Sequence, residues 1–188
     1  EKMVWRSNPL NEVTTFNVKE FIPRGQTALL DALGHTLNYF MEKRLMEPSC
    51  YNSCLIYLAT DGYENASKYY TREHIKKMIK SAKEKYNIEV IYLGANQDAI
   101  LEADNLGINP NQAINYTESS ETTNAVYRAV GRVASSQRSN PNNNVEFIEA
   151  ERQASQVGDS YPQPPPLVRA SPVVANHTDP INVLNQTV

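Results

Sequence analysis

The first 136 residues alternate between short apolar runs and longer stretches in which apolar residues recur at helical spacing. Residues 55–60 carry hardly any polar side chain, and residues 88–93 form a second run of the same kind. Such runs are typical of strands that are buried on both faces of a parallel sheet. Residues 113–116 predict a third, smaller strand.

The stretches between these strands predict amphipathic helices. One helix follows a break at residues 23–25, with Thr27 placed to cap its N-terminus, and a second begins at Thr71. A last helix runs from residue 122 to about residue 136. The side chains expected inside are Leu30, Leu33, Leu37, Phe40, Ile75, Ile79, Val126 and Val130. The alternation predicts an α/β fold with a doubly wound, Rossmann-like, mostly parallel sheet that is covered on both faces.

The pattern ends at Gln137. Residues 137–188 hold seven of the eleven prolines, and few of their apolar residues recur at a regular spacing. A segment of this composition has too little apolar surface to form a core. We therefore predict a domain over residues 1–136 and an extended Pro- and Asn-rich tail over 137–188, with at most a short helix within residues 145–157. The tail is expected to strap other protein subunits, with anchors at Phe147, Ile148, Tyr161, Leu167, Val168, Val173, Ile181 and Leu184.

Composition narrows the function classes. A formal net charge of -3 leaves no basic footprint for nucleic acid, so we expect none as a partner. No apolar run approaches the roughly 18 residues of a membrane span, and the first residues lack the apolar core of a signal peptide. We expect a soluble protein without a signal peptide, either cytoplasmic or inside a virion or another large assembly.

The candidate chemistry lies where the apolar run at residues 55–60 stops. Asp61 and Gly62 follow it directly, and ligands of open α/β sheets bind at this end of the strands. An enzyme on such a sheet could use Asp61, Asp98 and Thr27 at the strand ends. The chain has no G-x-G-x-x-G or Walker sequence, and no Ser or Cys nucleophile beside a plausible His. We therefore expect a protein that is not an enzyme, and keep this alternative as the less favoured one.

Three segments resemble a known family. RGQTALLDALGHTL, CLIYLATDGYENASKYYTREHIKKMI and VIYLGANQDAILEADNLGI are similar, in this order, to the second half of a von Willebrand factor A domain of the bacterial and viral type. The resemblance covers about residues 1–136. It implies a doubly wound protein-interaction module, and many such domains bind a divalent ion at an adhesion site. Thr27 matches the threonine of that site and Asp61 matches its aspartate.

The chain also departs from this family. The remaining metal ligands come from an Asp-x-Ser-x-Ser loop after the first, central strand, and no such motif occurs here. The resemblance therefore implies a sheet without its first strand, which either an upstream segment or another chain would donate. The family's Gly-Gly-Thr turn is Gly25-Gln26-Thr27 here. Mg²⁺ would bind only if the missing ligands are supplied elsewhere, and no other cofactor is expected.

These observations predict a non-enzymatic protein–protein interaction module that is a structural component of a large assembly, such as a virus capsid. In this hypothesis the domain is the body and the tail holds neighbouring subunits. The alternative is a metal-dependent adhesion or ligand-binding domain whose remaining site residues lie on a missing segment.

Overall fold

The computed structural model describes residues 9–13, 25–95 and 98–157. Three strands, β1 (Cys54–Thr60), β2 (Ile88–Ala95) and β3 (Ala113–Tyr116), form a parallel sheet in the order β1-β2-β3. Five α-helices accompany it within the described residues: α1 (Leu29–Met46), α2 (Arg72–Tyr86), α3 (Ala99–Leu106), α4 (Ser120–Ser139) and α5 (Glu149–Val157). Single turns of 3₁₀-helix lie at Leu10–Glu12 and Pro110–Gln112.

Helices cover both faces of the sheet, which confirms the predicted α/β fold class. The first core cluster joins α1, α2 and α3 to one face, and the second joins α4 and the segment before α5 to the other. Six of the eight predicted core side chains are buried, while Phe40 and Val130 are only partly buried. Among the described residues, no helix combines the length and apolar character needed to cross a membrane.

Local signals set most helix ends. The Thr71 side chain accepts a hydrogen bond from the backbone N–H of His74 and starts α2, as predicted. At the other end of α2, Asn87 takes a left-handed conformation with φ of 53°. Asp98 caps α3 through the N–H of Leu101, and Gly107 ends that helix with φ of 79°.

The domain does not end at residue 136. Helix α4 continues to Ser139, and the chain then turns back so that Val145 and Phe147 are buried beside α4. Helix α5 packs against α4 and β3. The folded body therefore extends to residue 157, because a few apolar side chains and several long-range hydrogen bonds suffice to hold this segment.

This finding corrects part of the predicted tail. Phe147 is 5% exposed and belongs to the core of its own chain, so it is not an anchor for a partner. Ile148 remains 51% exposed. The other predicted anchors, Tyr161, Leu167, Val168, Val173, Ile181 and Leu184, lie outside the described residues.

Strand β1 also differs from the prediction. Ile56 and Leu58 are buried under α1 and α2, as a central strand requires. On the opposite face Tyr57 is 38% exposed and Ala59 is exposed. The second face of β1 is therefore only partly covered by the residues that the structure describes.

Candidate functional site at the carboxyl end of β1

The loop that follows β1 wraps around the start of α1. The backbone N–H of Thr27 donates to the Asn65 side-chain oxygen at 2.9 Å, and the N–H of Asn65 donates to the Thr27 carbonyl at 3.0 Å. The Thr27 hydroxyl oxygen lies 3.0 Å from the position that a Cβ atom at Gly62 would take. Thr27 is thus next to the residue that follows Asp61, at the carboxyl edge of the sheet.

Thr27 does not cap α1, contrary to the expectation from its position. The helix begins at Leu29, and its N-cap residue, Ala28, makes no side-chain capping bond. Instead, the N–H of Leu30 donates to Glu64 and the N–H of Asp31 donates to the Ser67 hydroxyl, each at 3.0 Å. The free N–H groups of a helix start are therefore bound by side chains more than thirty residues away in the sequence.

Glu64 organises the loop. Its carboxylate accepts the N–H groups of Leu30, Ala66 and Ser67 and also the Ser67 hydroxyl. Burial alone would raise the pKa of Glu64, but these hydrogen bonds outweigh it and hold the pKa below its ordinary value. The ionised carboxylate therefore fixes the shape of the loop.

Asp31 plays the same part from within α1. Its carboxylate accepts the N–H groups of Lys68, Tyr69 and Tyr70 at 2.8 to 3.0 Å. Burial raises the pKa of Asp31, and the three backbone donors more than offset it, so the pKa is lowered. Sequence reasoning missed this role. An acidic residue inside the apolar stripe of a helix was the one available signal.

Asp61 is exposed at the carboxyl end of β1, and Tyr116 is the last residue of β3. Burial raises the pKa of the Tyr116 phenol, and the nearby Tyr127, Asp61 and Glu118 act in the same direction. The carboxyl ends of β1 and β3, which lie on either side of β2, thus carry polar side chains at the same edge of the sheet. Tyr116 was not singled out by the sequence, since its place at this edge depends on the strand order.

The polar groups here do not by themselves complete a magnesium site. Thr27 and Asp61 offer two oxygen ligands, whereas Mg²⁺ prefers about six. Within the described residues, no group of three or more His, Cys, Asp or Glu side chains is arranged to hold a metal ion. Asp98, the third strand-end residue of the enzyme alternative, uses its carboxylate to cap α3.

A polar cavity of about 500 Å³ lies at the opposite, amino ends of β2 and β3. The ion pair between Lys83 and Glu89, at 2.9 Å, lines it together with several asparagines, including Asn87 and Asn109. It is therefore separate from Thr27 and Asp61.

The open side of β1 is the second candidate site. Within the described residues β1 pairs with β2 alone, so its other edge carries no strand. Leu55, Tyr57 and Ala59 point to the face that α4 covers incompletely. This edge and this face, which we call the β1 surface, combine the backbone groups of Leu55, Tyr57 and Ala59, which pair with no strand other than β2 that the structure describes, with exposed apolar side chains.

Comparisons of the chain with protein-family models, with curated proteins and with solved structures found no match.

Proposed function

We propose that this protein is a non-enzymatic interaction module with a von Willebrand factor A-like fold, serving as a structural component of a large assembly such as a virus particle. The β1 surface takes up an extended, apolar strand from another protein subunit. Residues after 157, with their predicted anchors, strap neighbouring subunits. The resemblance of the three segments quoted above supports the family part of this proposal.

One observation carries the proposal. The sequence of β1 is apolar on both faces, as in a strand from the middle of a sheet, yet among the described residues β1 stands at an edge with one face half open. Long apolar edge strands invite pairing with another chain, and natural proteins usually protect them with charges, prolines or a covering segment. The described part of β1 has none of these. A strand added by a partner would pair its backbone and cover Tyr57 and Ala59.

Site-specific photo-crosslinking tests the proposal. A photoreactive phenylalanine analogue replaces Tyr57, and the full chain is expressed in the organism that naturally produces it. After irradiation, the cross-linked peptide is sequenced by mass spectrometry. We expect a cross-link to one segment of another subunit, with apolar residues in alternation. Adding Ala59→Lys to the same protein should remove the product, because a charge on the edge opposes pairing.

The matched control places the same analogue at Tyr69, which is 76% exposed and contacts His35 of α1, the helix that packs on the other face of the sheet from Tyr57. A product at position 57 no stronger than that at position 69, or one that survives Ala59→Lys, would contradict the proposal.

A second candidate function is metal-dependent adhesion. The approach of the Thr27 hydroxyl to Gly62 favours it, since the two residues that match the family's metal site then belong to one loop cluster. Titration of Mg²⁺ into the full chain, followed by calorimetry, tests it. Binding that disappears in Asp61→Asn but persists in Asp104→Asn, a substitution on α3, would support adhesion. The absence of binding in the presence of the partner subunit would exclude it.

A further inference from the structure

The outer edge of β3 is occupied by side chains of α5. In a parallel strand, alternate residues turn their peptide groups to opposite sides, and on the outer side of β3 these are Ala113 and Asn115. Arg152 donates to the Ala113 carbonyl at 2.5 Å, and the Ser155 hydroxyl donates to the Asn115 carbonyl at 2.6 Å. The acceptors that a fourth strand would use are therefore taken.

The same segment extends the contact beyond the strand itself. The N–H of Phe147 donates to the Asn111 carbonyl at 2.9 Å before β3, and the N–H of Thr117 donates to the Ser155 carbonyl at 3.3 Å after it. Ser155 is completely buried. Residues 145–157, which we call the β3 cap, thus follow the whole length of the edge.

A bidentate ion pair fixes the β3 cap to α4. Arg132 contacts the two carboxylate oxygens of Glu151 at 2.5 and 2.8 Å. The cap is therefore held by its own contacts to the body as well as by its contacts to β3. Covering an edge with a helix is one of the ways in which proteins prevent edge-to-edge association.

The β1 edge, open among the described residues, and the capped β3 edge belong to the same parallel sheet, so the first could pair with the second in another copy. If the outer edge of β3 were free, β1 of a second copy could pair with it in parallel and continue the sheet. The β3 edge of that second copy would then be open to a third copy. Such a head-to-tail contact leads to open-ended assemblies unless the rotation between copies closes a ring.

We propose that the outer edge of β3 is a latent interaction surface for β1 of a second copy, and that the β3 cap keeps it closed. Strand addition is then confined to the β1 surface, so the protein accepts a partner without polymerising on itself. This inference rests on the open β1 edge of the proposed function, but it concerns a different partner.

The test removes the two side chains that occupy β3. The full-length double variant Arg152→Ala/Ser155→Ala is compared with the wild type by light scattering over a range of concentrations. We expect the weight-average mass of the double variant to rise with concentration to at least about two chains, while that of the wild type stays constant. Adding Ala59→Lys should restore the constant mass, because it blocks the β1 edge that docks.

Gln153→Ala serves as the matched control, since Gln153 is exposed on the same helix and its side chain donates a hydrogen bond to Glu149 of that helix. It should leave the mass unchanged. If the double variant does not fold, Arg152→Lys gives the same test, because a single ammonium group cannot replace the forked guanidinium that contacts the Ala113, Pro110 and Asn111 carbonyls together. A smaller rise in mass, again reversed by Ala59→Lys, is then expected.

A constant mass for the folded variant, or a rise that Ala59→Lys does not reverse, overturns the inference. These outcomes are separate from the cross-linking result at Tyr57. A cross-link to another subunit without self-association of the variant means that this inference alone fails. Self-association reversed by Ala59→Lys without a cross-link means that the proposed function alone fails.

Discussion

The two edges of the sheet are treated in opposite ways. At β3, Arg152 and Ser155 bind the outward carbonyls, and Phe147 is buried behind them. At β1, the described residues provide no such cover, and Tyr57 and Ala59 remain accessible. An edge that is closed by the chain itself indicates protection, whereas a long apolar edge left open indicates a place where something else binds.

The length of the strands strengthens this contrast. The β3 strand has four residues and β1 has seven, so the open edge is the longer one. Helix α5 covers the shorter edge, and the ion pair between Arg132 and Glu151 holds this helix in place. This difference supports the proposal that the β1 surface has a partner in the assembled state.

Among the substitutions that only remove side-chain atoms, the largest expected effect concerns the covered edge. Phe147→Ala should lower the free energy of unfolding by about 3 to 5 kcal/mol, because it empties a buried site between α4 and β3. Urea denaturation measures this. Ile148→Ala, at the exposed neighbouring position, is the control and should change stability by less than about 1 kcal/mol. Equal effects of the two substitutions would mean that Phe147 is not part of the core.

The sequence predicted what depends on local pattern. The strand at residues 88–93 and the start of α2 at Thr71 both followed from periodicity and a capping residue. The contact between Arg152 and Ala113 spans 39 positions and has no local signature. The Asn- and Pro-rich residues 140–144 look like the end of the domain, but they are a loop that leads back to it.

The candidate site shows the same limit. The position of Asp61 after a buried strand was readable, because a strand end and a turn residue are adjacent in sequence. The carboxylates of Asp31 and Glu64 were not assigned their roles, since their partners come from another element. The two-sided apolarity of β1 was read correctly as a pattern, but the pattern does not say whether the second cover comes from the same chain.

Acid should destabilise the loop that follows β1, on the side of the sheet opposite to the β3 cap. Because the loop after β1 is held by carboxylates whose pKa values are lowered in the folded state, their stabilisation is complete above about pH 4.5, the ordinary pKa of a glutamic acid. It is lost as the pH falls through the lowered values. Thermal melting between neutral pH and pH 3 should show this decline.

The variant Glu64→Gln isolates one of these groups. It removes one acceptor oxygen and should cost about 1 to 3 kcal/mol at neutral pH, and the decline toward acid should become shallower. Glu42→Gln, on the exposed part of α1, should change neither. An unchanged acid dependence in Glu64→Gln would show that this carboxylate does not hold the loop.

A smaller effect is expected where the β3 cap meets α4. Glu151→Gln should lower the free energy of unfolding by about 1 kcal/mol, and the loss should shrink at high salt, because the ion pair with Arg132 is partly exposed. Glu73→Gln breaks the pair with Lys77 on the exposed side of α2 and should lower stability less than Glu151→Gln does, because solvent screens this pair more fully. A larger loss of stability in Glu73→Gln than in Glu151→Gln would indicate that the β3 cap is held mainly by its apolar contacts.

The smallest effect on stability is expected at the open edge itself, and a single substitution made at both edges tests the comparison directly. Ala59→Lys in β1 should change the free energy of unfolding by no more than about 0.5 kcal/mol, because Ala59 is exposed and a lysine there can reach solvent. Ala113→Lys in β3 should prevent stable folding, because Ala113 is completely buried and a charge there would lose its hydration without gaining a partner. Urea denaturation of the two full-length variants measures both effects. If Ala59→Lys proved as damaging as Ala113→Lys, β1 would be covered in the free protein, and the contrast between the two edges would be lost.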